Sequence, residues 1–303
     1  MKEHTINRRC LFSGRLVFLA LLLLCQALFS VSPSLAAEVL IIGDIQYKPV
    51  ADVVGEIRAK VKLPLNVYST SDARGKLKAI VEREDARTVV ALGKDAVDEA
   101  LLLPPSVAVI YGLVIAPVKT SRSNITGVYM ATPINEYVGT IRKYMPSIRR
   151  ISIVGSRYLM SILDGRAYAQ VAAYNVSSSS ELVNTVNGLD ESNALILLPD
   201  VAFLTSAVME NVYLFSFRKN IPLLGISEGN VKQGSLFALV FDSLKIGRQI
   251  GELVMGARNG VDMEEMPPAP PAEFDLFINT NTARKMGIVI TDEMIRKAKK
   301  IYQ

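Results

Sequence analysis

The residues able to do chemistry are few and unevenly placed. Gly225-Ile226-Ser227-Glu228-Gly229 has the G-x-S-x-G spacing that, behind a strand, raises a nucleophilic serine on a sharp turn. That mechanism needs a base to take the serine proton. The chain has one histidine, His4, and it lies in an N-terminal stretch, 1–36, that also holds both cysteines, Cys10 and Cys25. Without that stretch there is no His, Cys or Trp, and the residues from Asn230 to Gly234 read as loop rather than as the start of a long helix. A serine hydrolase is therefore not expected. Ser216-Phe217-Arg218-Lys219 has Ser-x-x-Lys spacing but falls at the basic end of a predicted helix, where cations complement the helix dipole. There is no phosphate-cradling glycine loop of either common type, so nucleotide and dinucleotide chemistry lack their binding elements. A zinc site of carboxylates alone would be unusual, and no calcium-loop spacing occurs. No cofactor and no metal are expected. What remains for catalysis is a carboxylate pair facing across a cleft, and Asp200 with Asp242 is the pair that would have to do it. A lack of reactive side chains is what a binding protein tolerates and an enzyme usually does not.

The elements that position these residues follow a single pattern. Half of the 303 residues are hydrophobic, enough for two ordinary cores. Aliphatic runs alternate with amphipathic stretches of helical length, the signature of parallel sheets covered on both faces. Strands are predicted at 39–43, 65–69, 88–93, 107–112 and 126–130, with helices near 50–60, 72–83 and 95–103. A second series places strands at 151–155, 169–176, 194–199, 221–227 and 236–241, with helices at 135–145, 180–189 and 203–219. A long helix follows at 243–257, where Gly247, Gly251 and Gly256 allow close approach to a sheet. The proline-rich connector 267–271, a strand at 274–279 and a last helix near 292–301 complete the chain. The fold class is α/β, two doubly wound Rossmann-like lobes with mainly parallel sheets.

Residues 1–36 read as an export signal. A basic stretch ending at Arg15 precedes an apolar run from 16 to 31, short of a membrane span, and Ser34-Leu35-Ala36 supplies the small-x-small end. Cleavage is expected after Ala36, with Ala37 the alternative. Leu24 before Cys25 argues against a lipid anchor there, and Arg8-Arg9 resembles any basic leader as much as a twin-arginine one. The expected location is the periplasm. The leader carries four cations and one anion, so the remainder is nearly balanced in charge, and nucleic acid is not an expected partner.

Four stretches resemble one family. They are Asn124-Ile125-Thr126-Gly127-Val128, Ile221-Pro222-Leu223-Leu224-Gly225-Ile226-Ser227 with Val231 to Leu236 after it, Asp242 with Ile246-Gly247-Arg248-Gln249-Ile250-Gly251, and Phe274 to Asn279 with Thr282 to Ile288. Together they are similar to ABC-transporter substrate-binding proteins, in the branch of the type I periplasmic-binding fold that includes aromatic-amino-acid binders. The resemblance implies two lobes joined by three crossings, lobe one being 37–130 plus 242–270 and lobe two 131–241 plus 271–303. It implies a small polar or zwitterionic, amino-acid-like metabolite held between the lobes, an inner-membrane ABC permease as partner, and a monomeric receptor. A sensory domain reporting to a membrane receptor is the alternative. The sequence departs from the family at Gly93-Lys94-Asp95, at Pro199-Asp200 and at Asp242-Ser243, where the family has Gly-Thr-Pro, Pro-Thr-Asp and an Asp followed by tyrosines.

In open α/β sheets ligands sit beyond the carboxyl ends of strands, so strand-end residues are the candidate contacts. In lobe one these are Gln46 and Tyr47, Gly93 and Lys94, and Tyr111 and Gly112. In lobe two they are Ser156, Arg157 and Tyr158, then Asp200, then Ser227 and Glu228, with Asp242 after the return strand. Asp200, Glu228 and Asp242 would meet an ammonium group, and Arg157 or Lys94 a carboxylate. Tyr47, Tyr111 and Tyr158 would offer stacking surfaces.

Overall fold

The computed structural model describes residues 38–303 apart from Leu63 and 164–168, and Ala37–Gln303 forms one compact unit. The export signal read over 1–36 lies outside the described residues.

Runs of Val, Ile and Leu build the first sheet, buried on both faces except at the β2 edge. Strands β1 (Val39–Ile42), β2 (Leu65–Tyr68), β3 (Thr88–Leu92), β4 (Ala108–Val114) and β5 (Ile125–Tyr129) pair in parallel in the order β2-β1-β3-β4-β5. Helices α2 (Thr70–Ala73), α3 (Leu77–Glu84) and α4 (Lys94–Ala100) help to fill one core, whose members include Ala73, Leu77, Ile80, Val97 and Tyr111. The other core joins α1 (Lys48–Val61) to the strands and, from much later in the chain, α10 (Ser243–Arg258). Continuous apolar strands need both faces covered, and here they are.

The second lobe repeats the scheme. Strands β6 (Ile151–Gly155), β7 (Val171–Asn175), β8 (Ala194–Leu197) and β9 (Leu223–Leu224) are parallel in the order β7-β6-β8-β9. A parallel bridge from Gly225 to Ala238 continues this sheet into β10 (Phe237–Phe241), which pairs antiparallel with β11 (Phe274–Asn279). Helix α5 (Ile134–Tyr144) buries Ile134, Tyr137, Val138 and Ile141 on one side. On the other, α7 (Ser179–Asn187) and α8 (Ser206–Lys219) bury Leu182, Val186, Val208, Val212 and Phe215. Short helices α6 (Arg157–Ile162), α9 (Glu228–Gln233), α11 (Thr280–Lys285) and α12 (Asp292–Lys297) complete the lobe.

Three chain segments cross between the sheets, at Met130–Pro133, at Phe241–Ser243 and after the proline connector. The connector lies along the edge of the first sheet: Ala269 donates to Gly127 O and accepts from Tyr129 N, both at 3.1 Å. Gln249 of α10 clasps its far end, donating to Pro270 O at 3.1 Å and accepting from Ala272 N at 3.2 Å.

Several expectations need correction. The helix predicted over 72–83 is two helices, because Gly75 turns left-handed at φ +66° between them. The last helix stops at Lys297, and Lys300–Tyr302 forms β12, parallel to β11. A short helix does follow the G-x-S-x-G turn, six residues long. Gly247 and Gly251 of α10 approach a helix rather than a sheet, and Gly256 approaches Met266, beyond the end of α10. A Cβ at Gly247 would lie 2.7 Å from Glu56 Cβ and 2.9 Å from Val53 Cα, both in α1. The sheet instead receives Ile246, Ile250 and Val254 from the neighbouring stripe.

Candidate ligand cleft

At the first lobe's strand ends the polar residues hold the chain's own structure. Gln46 and Tyr47 are exposed, Tyr47 at 60%, and Tyr47 precedes α1 without capping it by side chain. Gly93, at φ +92°, is the N-cap of α4, and it donates to Gly112 O at 2.9 Å. Lys94 pairs with Asp98 at 2.5 Å, which raises the lysine pKa, and Asp95 pairs with Arg74 at 3.5 Å. Tyr111 offers no stacking surface: it is 0% exposed in the core, its hydroxyl accepts from Val118 N at 3.3 Å, and burial pushes its pKa to about 12. Gly112 is a packing position, since a Cβ there would fall 2.4 Å from Ile250 Cδ1 of α10.

The second lobe's strand ends show the same economy. Ser156 caps α6, its Oγ accepting from Leu159 N, while its own N–H donates to Asp200 Oδ2 at 2.6 Å. Ser227 caps α9, accepting from Asn230 N at 3.2 Å and donating to Asn230 Oδ1 at 3.0 Å. Glu228 turns to the C-terminus: the Tyr302 hydroxyl, then Lys300 and Lys232, hold its carboxyl down at about 2. Asp242 caps α10 through Leu244 N at 2.8 Å and pairs with Lys299 at 3.2 Å. Desolvation raises that carboxyl, but these two partners outweigh it and the net shift is downward. Asp200 and Asp242 thus each answer to a different partner, and no bond joins them as a catalytic pair.

Tyr158 reaches towards the segment that follows β4. Its hydroxyl donates to Pro117 O at 2.7 Å, and Lys119 Nζ stands 3.7 Å above its ring. The expected stacking surface is therefore occupied by a cation. Arg157, beside it, is exposed and has no ion pair among the described residues.

A cavity of about 360 Å³ opens at the carboxyl ends of β8, β9 and β10, beside the first two crossings. Its walls include Met130, Tyr137, Leu198, Pro199, Leu224 and Phe241, and Ile115 joins them from beyond β4. No Asp, Glu, Lys or Arg lines it. The Tyr137 hydroxyl is already donated to Gly225 O at 2.8 Å, and burial raises its pKa. Ser227 and Asn230 supply the polar end; Asn230 Oδ1 accepts from Ile226 N at 3.1 Å and from Ser227, leaving the amide nitrogen as a donor. Of the residues named from sequence, Ser227 lines this space. Its apolar walls carry no polar strand-end signal. The available signal was the apolar residue where a turn should be polar, such as Val201, which is 74% exposed at the cavity mouth. A ligand buried here is recognised by apolar contact plus a few polar groups, the usual composition of a small-molecule site.

Comparison with known proteins gives a consistent picture. A family model described as "ABC transporter substrate binding protein" matches residues 106–302. A curated protein of Clostridioides difficile (strain R20291), named "Tyrosine-binding protein", is 22% identical over 174 residues, 54% of this chain and 50% of that protein. The chain thus spans about half the length of the curated relative it matches. Among solved structures, an ABC domain from Streptococcus pneumonia in complex with L-Trp aligns over 88% of this chain and 99% of its own, at 17% identity and a TM-score of 0.57. The ligand-free, open structure of a substrate binding protein with adhesive properties from Clostridium difficile aligns over the same 88% and 99%, at 12% identity and a TM-score of 0.64. Both likenesses establish the two-lobed fold.

Proposed function

The chain belongs to the ABC transporter substrate-binding protein family, and on that premise we propose that it captures a small, amino-acid-sized solute between its lobes and delivers it to an ABC permease. The observation that carries this reading is the uncharged 360 Å³ cavity at the strand ends beside the crossings. The names of its relatives, one a tyrosine-binding protein and one solved with L-Trp, support a solute with an apolar group. The receptor would act outside the cytoplasm, as substrate-binding proteins of ABC importers do. Its lobes would divide at 130/131, 241/242 and 270/271. Closure would be a population shift, in which the solute favours the closed form to the extent that it touches both lobes.

Thermal unfolding of the purified protein against amino acids, carboxylates, nucleosides and sugars tests the reading. A solute at about a thousand times its Kd should stabilise by about 4 kcal/mol, on the order of ten degrees for a chain of this size. A folded, ligand-free protein that no solute class stabilises would overturn it.

A further inference from the structure

The charges around the cavity mouth are not balanced in their availability. The carboxylates at the strand ends are all engaged. Asp44 accepts from Thr70 N, Asp200 from Ser156 N and Asp242 from Leu244 N and Lys299, while Glu228 faces Tyr302, Lys300 and Lys232. An ammonium group could be met by one of them only at the expense of a helix cap or an ion pair. Two cations differ. Among the described residues, neither Arg157 nor Lys119 has a carboxylate partner, and both are exposed. Each is connected to a segment that lines the cavity. Lys119 lies four residues beyond the lining residue Ile115, and its Nζ rests on the ring of Tyr158. Arg157 follows Ser156, whose N–H is tied to Asp200, between the lining residues Pro199 and Val201.

We propose that the cleft takes an amphipathic monocarboxylate, with an uncharged aliphatic or aryl body in the apolar cavity and its carboxylate held at the mouth by Arg157 and Lys119, and that an ammonium group on the ligand is dispensable. An anion at this place breaks no helix cap and no ion pair among the described residues: two exposed side chains turn inward, Lys119 leaving only its contact with the Tyr158 ring, and the guanidinium can grip both carboxylate oxygens. The apolar body meets Leu198, Leu224 and Phe241, where a second charge would find no partner. This inference rests on the reading of the cleft as a solute-capture site.

The test is calorimetric titration of the whole protein with two matched sets: 3-phenylpropionate, L-phenylalanine and phenethylamine; and 4-methylpentanoate, L-leucine and isoamylamine. In at least one set the acid should bind within about threefold of the zwitterion or more tightly, and the amine should bind about a hundredfold more weakly or not at all. Arg157→Gln and Lys119→Gln should each weaken the acid about tenfold or more, the scale of one charge-assisted hydrogen bond, with the unliganded melting temperature unchanged. Binding of a zwitterion with the acid at least about tenfold weaker would overturn the inference and leave solute capture standing. So would acid binding that neither substitution affects. Failure of both sets, while a sugar or nucleoside still stabilises the protein, also overturns it alone. Failure of every solute class overturns solute capture, and the inference with it.

Discussion

Replacing Gly247 by Ala tests the close approach of α1 and α10. The added methyl would stand 2.7 Å from Glu56 Cβ, 2.9 Å from Val53 Cα and 3.0 Å from Val53 O. Carbon atoms prefer separations of about 3.5–4.0 Å, so α1 and α10 would have to part by roughly 1 Å. Two of the three neighbours belong to backbone, so no side-chain rotation relieves them. Overpacking of this kind costs about 1–3 kcal/mol, while Ala gains about 1 kcal/mol over Gly in a helix interior. Gly55→Ala, in the middle of α1 with nothing within 4 Å of the new methyl, isolates the second effect. Because the propensity gain is common to both variants, Gly247→Ala should be less stable than Gly55→Ala by about 1–3 kcal/mol. Gly251→Ala should fall between them, since its contacts, Lys60 Cβ at 3.0 Å and Cγ at 3.1 Å, are longer, and rotation of the lysine relieves the second of them. Urea unfolding with an unchanged m value measures these differences. Gly247→Ala as stable as Gly55→Ala would refute the close packing of the two helices.

Other outcomes follow from the strand-end bonds. Glu228 is held at about 2 against an ordinary value of 4.5, first by the Tyr302 hydroxyl, so it contributes stability above the unfolded value that is lost as pH falls from about 4.5 to about 2. The stability gap between wild type and Glu228→Gln should be open near neutral pH and close across that window; a gap that stays constant with pH would contradict the Glu228 contacts. Tyr111→Phe leaves Val118 N–H without its acceptor and should cost about 1–3 kcal/mol, whereas an unchanged unfolding midpoint would mean that the bond contributes nothing. Asp200→Ala should destabilise by about 1–2 kcal/mol and Asp200→Asn, which keeps an acceptor for Ser156 N, by less; equal losses would mean that the bond to Ser156 N contributes nothing.

The parts of the fold legible in the sequence were those in which one chain segment carries its own signal. Residues 39–42 and 88–92 are buried throughout because aliphatic and β-branched runs of that length suit only a strand covered on both faces. The failures are non-local. Lys300-Ile301-Tyr302 has no strand period and becomes a strand because Phe277, Ile278 and Asn279 lie beside it and Glu228 holds Lys300 and Tyr302. Gly247 and Gly251, four residues apart, announce that something approaches that stripe of α10. They do not say whether a sheet or a helix, and α1 is almost two hundred residues earlier in the chain.

The site was harder to read, for a reason built into the architecture. Most parallel strands here, β4 excepted, are followed by a helix whose first N–H groups need acceptors, so serines and aspartates are favoured at strand ends whether or not a ligand comes there. Ser156, Ser227 and Asp242 meet that need, and Asp200 meets a neighbouring one. A polar strand-end residue is therefore ambiguous until its own bonds are known. What the architecture does not require is the informative part: a cation without a carboxylate among the described residues, as at Arg157 and Lys119, or an apolar side chain where the turn should be polar, as at Val201. Neither stabilises a strand-to-helix connection, and an exposed apolar mouth costs solvation that the fold has no need to incur. Val201 lines the cavity, the two cations connect to that lining through the segment after Ile115 and through the Ser156–Asp200 bond, and a ligand that is apolar in its body and anionic at one end accounts for both.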